Sequence, residues 1–109
     1  MNKLGIFVML HARPGKEAEV AALLHAATPL VEAETGTTNW YSFQSGPATF
    51  GIFDTFENEE GRAAHAKGEL ANTLFQRAQE LFVTPPQVQP VDIISEKVQA
   101  GHRVPAQHN

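Results

Sequence analysis

A chain of 109 residues that is 42% hydrophobic and 18% charged is one ordinary domain, too apolar for disorder and too mixed for a fibre. It contains no cysteine, which excludes disulfides, thiolate catalysis and zinc–thiolate sites. Its net charge of −4, with no basic block, excludes a nucleic-acid footprint.

Residues 4–11 are apolar on both alternate sets, with Leu4, Ile6, Val8 and Leu10 facing one way and Phe7 and Met9 the other. This pattern predicts a strand buried on both faces. The run could imitate a secretory leader, but His11, Arg13 and Lys16 follow without a small-residue cleavage site. Arg13-Pro14-Gly15 breaks the strand. Residues 16–34 carry a helical stripe of Val20, Leu23, Leu24, Ala27, Leu30 and Val31, interrupted by a conflicting Pro29. Gly36 stands where a C-cap is expected.

Residues 38–44 are rich in β-formers, Ser45-Gly46-Pro47 is turn chemistry, and residues 48–56 make the next strand of a hairpin. Asn58 is an expected N-cap, with Glu59 and Glu60 in the first turn of a helix that runs to about Phe82 and is divisible at Gly68. Pro85-Pro86 ends it. A last strand is expected over 90–98, around Val91, Ile93, Ile94 and Val98, and a loose polar tail over 99–109. The longest uncharged stretch, 35–53, holds Asn39, Gln44, Gly46 and Pro47 and cannot be a membrane helix. A soluble, cytoplasmic protein is expected.

The order β-α-β-β-α-β is the split βαβ, ferredoxin-like arrangement of an α+β domain, here over 1–98, with two helices on one face of a four-stranded antiparallel sheet. The strands are apolar on both faces, Ile6 against Phe7 and Ile52 against Phe53. The face without helices therefore needs a cover, and a second copy of the same sheet supplies it most economically, as a symmetric homodimer.

From Asp54 to Ala66 the sequence reads Asp-Thr-Phe-Glu-Asn-Glu-Glu-Gly-Arg-Ala-Ala-His-Ala. This resembles the antibiotic biosynthesis monooxygenase family of dimeric α+β barrels: a strand ending in an aromatic residue, an acidic cap, and a helix with an Ala-His pair. Glu34-Thr35-Gly36 and Val91-Asp92-Ile93 are also similar to this family. The resemblance covers about residues 4–98. It implies a ligand pocket between sheet and helices. It also implies oxidation of a small quinol- or polyphenol-like aromatic with no metal or flavin, or, alternatively, a non-catalytic ligand-binding or stress-associated role. Other relatives degrade haem, but Phe56 stands here where those carry a tryptophan at the end of the third strand.

His65 lies at the family's histidine position and has a pKa range suited to general-base work; the alternative is a structural histidine bonded to a strand or partner. Asp54, mid-strand among Phe50, Ile52 and Phe56, needs a partner, which Arg62 or His65 could supply by orienting the imidazole or by fixing strand to helix. Trp40 and Tyr41 fall on opposite faces, so either could stack a flat ligand or serve as packing. Phe56 would shape the pocket. Asn39, on the side of Tyr41, could bond a substrate oxygen, and shares a pocket with Trp40 only across a bulge. His11, His25, His102 and His108 show no His-x-His or His-Glu-x-x-His spacing, and no phosphate loop is present. No metal and no other cofactor is expected.

Overall fold

β1 (Leu4–His11) forms where alternation places Ile6, Val8 and Leu10 in the core and leaves Phe7 and Met9 half-buried on the other side. The structure, a computed structural model, describes residues 4–99. Residues 1–3 and 100–109, most of the expected tail, lie outside the described residues. β1 is followed by α1 (Glu17–Ala26), α2 (Thr28–Glu32), β2 (Thr37–Gln44), β3 (Thr49–Phe56), α3 (Glu59–Ala66), α4 (Glu69–Gln76), α5 (Ala78–Leu81) and β4 (Gln87–Asp92). The sheet runs β2-β3-β1-β4, antiparallel throughout. With the helices packed on one face, this is the expected ferredoxin-like α+β fold.

Three elements differ from the sequence expectation. The stripe over 16–34 is two helices, because Pro29 lacks an N–H and settles into the first turn of α2, where none is needed. The helix expected to reach Phe82 is three, broken at Lys67-Gly68 and again at Arg77. Arg77 Nη2 donates to Glu80 at 2.8 Å and to Glu19 on α1, which ties the second break to the first helix. The last strand is β4 rather than 90–98. Its described pairing with β1 runs from Gln87 opposite Met9 to Asp92 opposite Leu4, and residues 93–99 follow outside regular structure. Pro90 is tolerated because β4 is an edge.

The core lies between the sheet and the helices. Phe50, Ile52 and Phe56 of β3 meet Val20, Leu24, Leu70, Leu74 and Leu81 from the helices. Asp54 sits in that row, fully buried, on the same face as Ile52 and Phe56. Gly36 does not cap α2, which closes at Ala33 in right-handed backbone. Instead it crosses Gly61 of α3: a Cβ on Gly36 would lie 2.6 Å from the Gly61 Cα, and one on Gly61 would lie 2.8 Å from the Gly36 carbonyl oxygen. Only a pair of glycines permits this approach, and it brings the α2–β2 turn against α3.

Candidate functional site

α3 begins with Asn58 in extended backbone, its side chain accepting the Gly61 amide at 2.9 Å, and Glu59 and Glu60 follow at the positive end of the helix. This start aims His65, on the helix's second turn, at the sheet. The imidazole is 7% exposed and lies between two carboxylates. Nδ1 donates to Glu34 Oε1 at 2.5 Å, and Nε2 is 2.8 Å from Asp54 Oδ2. Glu34 Oε1 also accepts the Thr37 hydroxyl at 2.7 Å, which steadies it in its turn. The Phe56 ring, fully buried, stands 5.3 Å from the imidazole.

Burial pulls the His65 pKa down, but the carboxylates of Asp54 and Glu34 outweigh it and raise the value to about 8. At neutral pH the ring is therefore mostly an imidazolium, with Nδ1 bonded to Glu34 and Nε2 in ion-pair contact with Asp54. Burial pushes the Asp54 carboxyl upward; the adjacent His65 cation opposes this and the Glu34 charge adds to it, leaving the pKa raised. The Asp54–His65 contact is close in distance but poorly aligned, so neither Asp54 oxygen receives a well-directed hydrogen bond. A buried carboxylate in that condition is costly to keep.

Beside His65 the helices stand off from the sheet around a cavity of about 170 Å³. Ile6, Val8 and Ile52 form its floor, and Leu70, Leu74 and Phe75 of α4 form its wall. His65 is the one ionisable side chain among the lining residues.

The residues expected at the site separate into groups. Asp54, Phe56 and His65 come together. Arg62 does not join them: its Nη1 reaches the carbonyls of Gly5 and Val91, each at 3.4 Å, and its Nη2 pairs with Glu59 at 2.6 Å. It holds α3 to β1 and β4 rather than orienting the imidazole. Tyr41 and Asn39 lie on the opposite, open face, in a cleft with Phe53, Thr55 and residues 95–99. Trp40 packs against the core edge, its indole N–H buried without a partner. It lines a shallow groove over α2 together with Asn39, the sharing made possible by the register shift between Thr37 and Asn39. Neither Trp40 nor Tyr41 lines the His65 cavity.

Sequence reasoning missed Glu34 as a member of the site. Its signal was present in Glu34-Thr35-Gly36, because a glycine two residues on allows the crossing with Gly61 that carries the carboxylate to His65. Among the described residues, no group of three His, Asp or Glu side chains converges to hold a metal ion. In the triad the imidazole stands between the carboxylates, so the donors do not face a common point.

This sheet order, with the helices on one face, is the fold of the antibiotic biosynthesis monooxygenases. One solved antibiotic biosynthesis monooxygenase superposes with a TM-score of 0.72 at 14% identity, over 84% of this chain and 99% of that one. Rv0793 of Mycobacterium tuberculosis does so with a TM-score of 0.77 at 18% identity, over 87% and 98%. The NE2512 protein of Nitrosomonas europaea, itself of unknown function, is 46% identical over 93% of this chain and 98% of its own, with a TM-score of 0.88. The chain belongs to the family of that NE2512 protein, within the antibiotic biosynthesis monooxygenase fold. No protein-family model matches the chain, and no curated protein matches it as a relative.

Proposed function

We propose that the protein binds a small aromatic molecule of the quinol or polyphenol type in the His65 cavity and oxidises it with O2, the substrate supplying the electrons. The observation that carries this reading is the Glu34–His65–Asp54 triad buried at the wall of an apolar cavity. Packed apolar side chains would fill the same volume without the desolvation cost of three ionisable groups.

Asp54 is immobile on β3 and holds Nε2, whereas Glu34, on a turn and with a side chain 21% exposed, is the contact that can open. Glu34, on swinging out, carries the Nδ1 proton to solvent, which leaves a neutral imidazole whose free Nδ1 is a base for a substrate hydroxyl. The resulting anion passes one electron to O2. Recombination forms a C–O bond, cleavage of the O–O bond releases water, and a quinol leaves as a hydroxyquinone. All electrons come from the substrate, and the proton taken by His65 leaves in the water.

Oxygen-electrode measurements with purified protein and a panel of quinols test this. Uptake is expected, and His65→Ala should lower it by about 10²–10⁴-fold. No uptake with any quinol, or undiminished uptake in the variant, overturns it. A second reading, ligand binding without turnover, is favoured by the engagement of both imidazole nitrogens; it expects saturable binding with no oxygen consumed.

The same proposal includes a second copy of the chain on the open sheet face. Phe7, Met9, Tyr41, Phe43 and Phe53 form the apolar patch that supports it, with Phe7 and Phe43 stacked at 6.4 Å. It also keeps the cytoplasm as the compartment, with the run that could imitate a leader paired on both sides within the sheet as the inner strand β1.

A further inference from the structure

The His65 cavity has walls that fix its size. Its floor residues Ile6, Val8 and Ile52, and its wall residues Leu70 and Leu74, are each at most 7% exposed and belong to the core. Interiors packed this way transmit strain rather than expand, so the floor cannot yield without unpacking the domain. The rim is different. Phe75 and Val88 are 54% and 46% exposed, large apolar residues in water at the mouth, as an entry requires. The room itself comes from small side chains, Ala66 at the end of α3 and Ala71 on the first turn of α4. An apolar cavity of roughly 150 Å³ accommodates one benzene ring, and the volume here is about 170 Å³.

We propose that this cavity selects a single six-membered aromatic ring bearing a hydroxyl and rejects fused-ring compounds. The proposal rests on the cavity being the binding site and narrows its substrate class to one-ring phenols and quinols. The hydroxyl has one ionisable neighbour in the lining, His65, with Asp54 behind it and outside the lining. A ligand hydroxyl at His65 gains a polar contact that benzene cannot make. A second fused ring would have to displace core side chains or sit outside the mouth.

Isothermal titration of the full chain under nitrogen, with phenol, benzene and 1-naphthol, reads this directly. Phenol should bind saturably, and 1-naphthol about tenfold or more weaker, although it is the more hydrophobic molecule. Benzene should also bind more weakly than phenol. Ala71→Leu, which fills the cavity from its wall, should cut phenol affinity by about tenfold or more while the urea midpoint stays level or rises. Naphthol binding as tightly as phenol, benzene matching phenol, phenol failing to bind, or phenol affinity unchanged in a folded Ala71→Leu each overturns the proposal. Oxygen uptake in air separates the two readings. Phenol binding without uptake of oxygen by any quinol removes the oxidation and leaves the size limit. Turnover of a fused-ring quinol removes the size limit and leaves the oxidation.

Discussion

His65 has both ring nitrogens engaged, and this governs its behaviour more than its place on a helix does. Its proton is held more tightly in the fold, at about 8, than at its ordinary value of 6.5. The stability this contributes is complete below pH 6.5 and is lost as pH rises through 8; at most it amounts to about 2 kcal/mol. Asp54, raised by burial, also favours the fold at lower pH. Urea denaturation from pH 6 to 9 should show this decline, and a flat profile would contradict the triad. NMR titration of the imidazole should place its pKa near 8. In Glu34→Gln it should fall, because one of the two carboxylates opposing burial is gone. An unchanged value would mean that Glu34 does not pair with His65 in solution. Arg62 carries the complementary lesson. An arginine three residues before the histidine looked like a natural partner for Asp54, but its guanidinium pairs with Glu59 and reaches the carbonyls of Gly5 and Val91 instead.

At the scale of elements, one crossing assembles the site. Gly36 and Gly61 touch, and this contact holds the α2–β2 turn against α3 with Glu34 two residues before one glycine and His65 four residues after the other. Gly61→Ala should cost about 1–3 kcal/mol, since its Cβ would collide with backbone rather than with a flexible side chain. It should also lower the His65 pKa by drawing Glu34 away. Stability lost with the pKa unmoved would show that the triad does not depend on the crossing. The cap below it is separable: Asn58→Ala should cost about 1 kcal/mol in denaturant melts through the lost bond to the Gly61 amide. The breaks at Pro29, Gly68 and Arg77 let short helices follow the twisted sheet, and the cavity opens where α4 stands off from β1 and β3.

For the whole molecule the open face is the dominant feature. Tyr41 is 58% exposed and Phe43 38% exposed, on a surface shared with Phe7 and Phe53. Phe43 also lies over Gly51, where a Cβ would come within 2.3 Å of its ring, so the glycine shapes this face for the aromatic. With a second copy as cover, sedimentation should give twice the 11.9 kDa chain mass, and Phe43→Asp should return the protein to monomer. A monomeric wild type at micromolar concentration would remove the dimer. The cleft on this face that holds Asn39 and Tyr41 lies across the sheet from His65, so these residues would belong to the interface and not to the site.

What the sequence determined by itself was the architecture. Alternation along residues 4–11 and 48–56, the turn at Ser45-Gly46-Pro47 and the cap at Asn58 are local rules, and they specify βαββαβ without reference to distant contacts. His65 and Asp54 were legible for the same reason: a carboxylate in an apolar strand demands a partner, and the next helix carries one. Tertiary structure decided the rest. Glu34 is 31 residues from His65, and only the glycine crossing brings them together. Tyr41 lies across the sheet from the cavity, whereas Trp40 shares the cavity's face and is kept from it by its place on the edge strand beside α2. The span of β4 was decided by its ladder with β1, which starts at Gln87 rather than at residue 90. Pairing partners, close approaches and empty volume are properties of two segments at once, and neither segment's residues state them alone.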